Sequence, residues 1–391
     1  MKQRNLFASL ALLLAGCAST LPPTPTVLPQ ASCNCTPVES VAPKPAEKPL
    51  QIATWNDLPG WGGDDLVPAF DTFVASCKAL ARQTMWAPVC ASAKSADRNN
   101  PRDWFEAQLQ PWQLVNPDGS REGLITGYYE PIIKGSRKQS KLFPYPVFGP
   151  PDDLITVDLA DIYPELKNMR LRGRIEGKKL VPYYSRAEWV NQEARHGKEV
   201  LLWAEDAVEL FYMQIQGSGQ VDLDTGQRIR VSYADQNGHP YKAIGRWLAD
   251  QGEMKIEQAS MQGIKAWAVA NPKRLQQALN ANPSMVFFRE VPLTGVGPPG
   301  ALGVALTPER SIAVDTRTMP LGSAVWLSTT RPGSEMPLQR LMLAQDTGGA
   351  IRGAVRADFY WGSGQAAGEM AGRMKQKGQM WVLLPKAYAP K

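Results

Sequence analysis

Residues 341–361 read LMLAQDTGGAIRGAVRADFYW. The apolar run 341–344 leads into Asp346 and has the form of a buried strand. Thr347-Gly348-Gly349 follows, and its glycines, which tolerate positive φ, predict a turn. The chain then returns through 354–361. As a strand, that piece sets Arg356, Asp358 and Tyr360 on one face and Val355, Ala357 and Phe359 on the other. Asp358 on a polar face, beside a glycine turn bearing Asp346, suits acid–base chemistry on a polyol or sugar. The same spacing fits two aspartates that form turns or ion pairs, and spacing alone leaves both readings open.

The 391 residues have room for two domains with sizeable cores. A formal charge of +6 suits an anionic polymer or a membrane surface. It does not indicate nucleic acid, because no dense basic run with interleaved aromatics occurs. Twelve tryptophans and 11 tyrosines give the chain many flat faces of the kind that stack on sugar rings, although most such rings serve cores.

Residues 1–16 have the form of a secretory signal. Lys2 and Arg4 precede an apolar stretch, 6–15, that is too short to span a bilayer. The segment ends Leu14-Ala15-Gly16-Cys17, which resembles a bacterial lipobox and implies cleavage before Cys17 and its lipidation. Several acyl chains would anchor the protein stably. Ala18, rather than an aspartate, favours the periplasmic face of the outer membrane by analogy with lipoprotein sorting. Residues 17–50 are proline-rich and read as an extended tether.

Four further cysteines, Cys33, Cys35, Cys77 and Cys90, allow three pairings. Cys77–Cys90 closes a loop of ordinary length and is the favoured disulfide. Cys33 and Cys35 lie in the tether, where a bond between them would be strained. Two histidines and no paired C-x-x-C argue against zinc, and no cofactor is expected. His239, in the turn Asn237-Gly238-His239-Pro240, reads as structural rather than catalytic.

Apolar spacing predicts helices over 66–80, from 104, over 187–194 with Ser185 as N-cap, and through 241–279. Residues 208–219, VELFYMQIQGSG, alternate and predict a strand with Leu210, Tyr212, Gln214 and Gln216 on one face. Those glutamines would suit sugar hydroxyls and acetamides, or simply face water. Thr225-Gly226 predicts a hairpin. A helix is predicted over 364–377, with Ser363 as N-cap and Gly378 at its end, followed by a strand over 380–384.

Six segments together carry a family resemblance: LITGYYEP, LVPYYSRAEW, MQIQGSG, YADQNGHPYKAIGR, AVDTRTMPLGSAVWL and AQDTGGAIRGAVRADFYWG. In that order, from about 66 to 385, the chain resembles the MltA-type membrane-bound lytic transglycosylases. The resemblance implies a mainly β fold with some α in two domains. One is a double-psi β-barrel, residues 51–130 plus 292–391. The other is an inserted β-rich substrate-binding domain, 131–291, with the substrate groove between them. It implies cleavage of the β-1,4 bond between MurNAc and GlcNAc in peptidoglycan glycan strands, leaving 1,6-anhydro-MurNAc ends.

By motif position, Asp358 is the family's acid, with Asp346 beside it and Asp315 in support. Asp315 is expected to hold loops of the barrel. Thr126, Gly127, Tyr128, Gln214, Gln216 and Gly349 are carried over as glycan contacts. The alternatives are a hydrolase using Asp346 and Asp358 as a base–acid pair, or a non-catalytic peptidoglycan-binding lipoprotein on the same scaffold.

Overall fold

The computed structural model describes residues 49–166, 169, 171–192 and 199–388. The expected leader, the lipidation site Cys17, Cys33, Cys35 and His196 lie outside the described residues.

The chain begins with β1 (Leu50–Ile52), α1 (Val67–Leu80), α2 (Ala87–Ala93), α3 (Pro101–Gln108), β2 (Leu109–Leu114) and β3 (Gly123–Glu130). A long middle part follows: β4 (Ile132–Ser136), β5 (Tyr145–Phe148), β6 (Ile155–Thr156), β7 (Arg172–Glu176), β8 (Lys179–Pro182), α4 (Arg186–Val190), β9 (Val200–Ala204) and α5 (Ala207–Gln216). It continues with β10 (Ser218–Leu223), β11 (Arg228–Gln236), α6 (Ile244–Asp250), α7 (Met261–Ala270), α8 (Leu275–Asn280) and β12 (Val286–Val291). The chain then adds β13 (Ser311–Val314), β14 (Ala324–Thr330), β15 (Pro337–Asp346), β16 (Arg356–Ser363), α9 (Gly364–Arg373) and β17 (Lys375–Pro385). The fold is thus mainly β with some α.

Six strands close a barrel. Neighbours run β3–β16–β13–β15–β14–β17, and Lys375–Gly378 of β17 return to pair with β3. Closure leaves no open edge within the ring, and β2 and β1 extend outward from β17. Trp326, Leu327, Leu341, Met342, Leu343 and Ala344 are all fully buried, so β14 and β15 are covered on both faces. The barrel interior covers one face. Helix α1 packs on β15, and its Phe70 and Phe73 meet Trp104 and Phe105 of α3 in one aromatic cluster. As expected, Cys77 and Cys90 are bonded, joining α1 to α2 with their Cα atoms 5.6 Å apart.

The middle part builds a second sheet in the order β12-β11-β10-β4-β9-β5. One core lies within it, around Leu202, Val221, Val231 and Phe288. Another lies where α5, α6, α7 and α8 meet, around Phe211, Leu248, Ile264 and Leu279. The hairpin at Thr225-Gly226 is present, with Gly226 at φ 84°. Strands β6, β7 and β8 form a small sheet of their own.

Four local expectations are corrected. Residues 207–216 are helical, not extended: Asp206 Oδ1 accepts from the amides of Val208 and Glu209 at 2.8 and 2.9 Å and nucleates the turn. Buried Ala207, Val208, Leu210, Phe211, Met213 and Gln214 recur in pairs every three residues and form a broad helical stripe. Gly217, at φ 80°, ends the helix and frees Ser218 to start β10. Second, α9 stops at Arg373, and Lys375 to Gly378 are strand, because pairing with β3 closes the barrel there. Ser363 holds the N-cap position but its side chain makes no cap hydrogen bond. Third, positive φ in the 347–355 loop falls on Gly353 (118°), not on Gly348 or Gly349. Fourth, helix α4 keeps Ser185 as its cap but ends at Val190.

Candidate active site

The barrel registers bring the two central carboxylates together. Asp346 ends β15 beside Ala313 on β13, Ala313 faces Asp358 on β16, and Asp358 faces Thr126 on β3. Four adjacent strands thus align Asp346, Ala313, Asp358 and Thr126 in one row. Two strand spacings separate the aspartate backbones, roughly 10 Å.

Asp358 is held by Thr126, whose Oγ1 donates to Oδ1 at 2.6 Å. Arg356 does not form an ion pair with Asp358 among the described residues. Its Nη2 donates to Thr126 Oγ1 at 2.9 Å, and its Nη1 to the carbonyls of Leu124 and Ala357. The Asp358 carboxyl is surrounded by protein, with only a partly exposed edge. Burial pushes it up to about 6, against the Thr126 hydrogen bond and the Arg356 charge, while the Asp346 charge adds to the rise. The group therefore carries a proton in a useful fraction of molecules near neutral pH.

Asp346 accepts from the Tyr128 hydroxyl at 3.0 Å and from the Ala301 amide at 3.0 Å. Tyr128 packs against Tyr360, its neighbour across the β3–β16 pair, with ring centroids 5.2 Å apart and the planes tilted by 46°. Burial, then the charges of Asp346 and Asp358, hold the Tyr128 phenol well above its ordinary value, so it remains a donor. Asp358 faces Thr126 and Tyr360 faces Tyr128 in the same register, as the alternation of β16 predicts.

Asp315 is 1 % exposed and faces Arg317, which donates through Nε to Oδ1 at 2.9 Å and through Nη2 to Oδ2 at 2.6 Å. The amides of Arg317 and Gly353 complete its shell at 3.1 and 2.8 Å. The Arg317 hydrogen bonds hold the carboxyl well below the usual range. It thus ties the end of β13 to the 347–355 loop as a permanent anion.

The other carried-over positions separate. A Cβ on Gly127 would stand 2.7 Å from Trp361 Nε1 and 2.9 Å from Ala371 Cα, so packing against α9 requires glycine there. Gln216 Oε1 accepts from the Tyr129 amide at 3.2 Å and links α5 to β3. Gln214 is buried on α5, and its Oε1 meets no hydrogen-bond partner among the described residues. Gly349 lies exposed in the turn after β15. His239 Nε2 bonds the Tyr183 carbonyl at 2.7 Å, in keeping with a structural role.

Sequence reasoning missed a second set. Glu130, at the end of β3, is fully buried and binds Arg230, Gln220 and Ser363. An acid ending an apolar strand before Pro131 was the available signal. Two surface concavities, about 380 Å³ beside Arg228 and Glu290 and about 320 Å³ beside Gln51 and Trp381, contain none of the residues around Asp358. The carboxylates, not these hollows, locate the site. Among the described residues no cluster of three or more His, Cys, Asp or Glu could hold a metal ion, and no helix is long and apolar enough to cross a membrane.

Residues 124–289 match the MltA specific insert domain, and 310–384 match the 3D domain. The chain is 32 % identical to membrane-bound lytic murein transglycosylase A of Escherichia coli K12 over 296 residues, covering 72 % of this chain and 71 % of that one. Its fold matches the crystal structure of MltA from Neisseria gonorrhoeae with a TM-score of 0.76 and 37 % identity, over 88 % of this chain and 94 % of the other. It also matches E. coli MltA with bound chitohexaose, with a TM-score of 0.66 and 27 % identity, over 88 % and 95 % of the two chains.

Proposed function

The chain belongs to the MltA family of lytic murein transglycosylases, and on that premise we propose that it cleaves the β-1,4 bond between MurNAc and GlcNAc of peptidoglycan with one carboxyl as acid and then base. The observation that carries the reading is Asp358, held by Thr126 and pushed up to about 6. A carboxyl in that range gives a proton and takes one back near neutral pH.

In the first half of the reaction, protonated Asp358 donates to the glycosidic oxygen. The C1–O bond breaks, GlcNAc leaves with a free 4-hydroxyl, and C1 gains oxocarbenium character. In the second half, the C6 oxygen of the same MurNAc bonds to C1, and its proton passes to the Asp358 carboxylate. No water is consumed. The nucleophile is already part of the substrate, so its effective concentration is high and no second carboxylate need position water. Asp346, held by Tyr128 and Ala301, supplies negative charge near the cationic transition state. Asp315 serves the loops.

The glycan is read as lying in a groove beside β3, between a double-psi barrel formed by 51–130 with 292–391 and the domain inserted at 131–291. E. coli MltA with bound chitohexaose, which this fold resembles, supports an oligosaccharide occupant. Anchorage is read as lipid at Cys17, on the periplasmic face of the outer membrane. The relatives' membrane-bound names and the lipobox support that reading.

The test is mass spectrometry of soluble fragments released from purified peptidoglycan by the parent and by Asp358→Asn. Fragments one water lighter than reducing ends, absent with the variant, are expected. Reducing ends from the parent would replace the C6 hydroxyl with water and make the enzyme a hydrolase. Binding without release would make it a glycan-binding protein.

A further inference from the structure

We propose that Arg356 is a positioning residue acting through Thr126: by donating to Thr126 Oγ1 it commits that hydroxyl as a donor to Asp358 Oδ1, and so confines the transferable proton of Asp358 to Oδ2. The inference rests on the reading of Asp358 as the acid.

A guanidinium nitrogen only donates. Arg356 Nη2, 2.9 Å from Thr126 Oγ1, therefore makes that oxygen an acceptor. The hydroxyl has one hydrogen, and Asp358 Oδ1 at 2.6 Å is the sole acceptor it meets among the described residues. If Oδ1 carried the proton and donated to Oγ1, the Thr126 hydrogen would have no acceptor among the described residues in a half-buried site, which is unfavourable. The proton therefore belongs on Oδ2.

Arg356 is itself fixed, since its Nη1 reaches two backbone carbonyls, Leu124 on β3 and Ala357 on β16. The parallel pairing of those strands sets Asp358 directly opposite Thr126. The chain of donors thus runs from a strand pair, through a charge, through a hydroxyl, to one oxygen of one acid. Both proton transfers would use Oδ2, while Oδ1 stays in the Thr126 bond throughout. This also accounts for a cation so close to an acid that must hold its proton. The guanidinium points into Thr126 and two carbonyls instead of pairing with the carboxylate.

The experiment is a double-mutant cycle on the purified full chain in detergent, read as fragment release against pH. Thr126→Val keeps the shape and removes the hydroxyl. It is expected to lower the plateau rate on the order of 10- to 100-fold. Thr126→Ser, which keeps the hydroxyl, is expected to recover most of the rate lost in Thr126→Val. Arg356→Gln is expected to lower the plateau in the parent, but to add little in the Thr126→Val background. Both Thr126→Val and Arg356→Gln remove groups that favour ionised Asp358, so each moves the alkaline limb of the profile to higher pH. A purely structural defect would lower the plateau without moving the limb. Retention of the parent plateau in Thr126→Val, or an equal loss from Arg356→Gln in both backgrounds, would overturn the proposal. Product mass from the parent tests the underlying reading separately: reducing ends would sink the transglycosylase but leave the acid and its proton placement in question only through the cycle.

Discussion

Arg230 and Glu130 join the two large sheets through a buried ion pair: Arg230 Nε lies 2.6 Å from Glu130 Oε1, and their side chains are 3 % and 0 % exposed. Arg230 stands on β11 of the second sheet, and Glu130 ends the barrel strand β3, four residues from Thr126. Arg230 also donates to the carbonyls of Thr294 and Gly297, and Ser363 of β16 donates to Glu130 at 2.7 Å. Replacing Arg230 by Met should strand the Glu130 charge and cost about 3–5 kcal/mol. Replacing Glu130 by Gln at the same time should restore part of that loss. Urea unfolding of the single and double variants measures both, and equal losses would show that the charge is not what matters.

The buried Asp358 carboxyl should carry a stability cost. Asp358 titrates near 6 in the fold, against 3.8 for an unperturbed aspartate. Its contribution is full below 3.8 and is lost as pH rises through 6, because folding then buries a charge. At about 1.4 kcal/mol per unit, the loss is on the order of 3 kcal/mol. Asp358→Asn should therefore be more stable than the parent at pH 8 and about equal at pH 4. Unfolding curves at the two pH values give the comparison. A gain of the same size at both would trace it to something other than titration.

Asp346→Asn should move the alkaline limb of activity to lower pH. Removing the neighbouring negative charge lets Asp358 ionise more readily, so the protonated acid is lost sooner. The Tyr128 hydroxyl and the Ala301 amide meet different oxygens of Asp346, and in asparagine an NH2 donor replaces one of them, so one bond is lost in this geometry and the plateau should fall as well. A pH–rate profile with an unmoved limb would separate Asp346 from the titration of the acid.

Gly127→Ala should act on folding before it acts on glycan. The added methyl meets Trp361 and the Ala371 backbone at under 3 Å. A cost of about 1–3 kcal/mol follows from overpacking. Thermal unfolding should show it in the absence of substrate. An unchanged melting temperature with weakened glycan binding would return Gly127 to the substrate side.

How much of this was legible in the sequence depends on the range of the interaction. The strand–turn–strand around Asp346 and Asp358 was legible because apolar runs and paired glycines are local signals. The Cys77–Cys90 bond was legible from its short loop. The α5 helix was not. Its alternating letters matched a strand, and the deciding contact, the Asp206 cap, precedes the alternating run. The end of α9 was missed because pairing between Lys375 and Thr126, far apart in sequence, overrode helix-favouring lysines. Glu130 was passed over because nothing near it in sequence announces Arg230, 100 residues on. The direction of Arg356 depended on Thr126, which arrives from another strand.

Thr126 and Asp358 meet across 232 positions of chain, yet the join need not be slow. All strands of the second sheet lie between Ile132 and Val291, so that sheet can assemble from its own residues. Once formed, its order places β4 and β12 three strands apart, roughly 15 Å. A loop of about 160 residues is thereby replaced by a short bridge. Closure entropy falls by about 0.6 kcal/mol per halving of loop length, so the bridge lowers the cost of bringing β3 to β13 and β16 by roughly 3 kcal/mol. The middle of the chain thus serves as a folding clip. The barrel, and with it the Thr126–Asp358 bond, is then joined across that short bridge rather than across the whole middle of the chain.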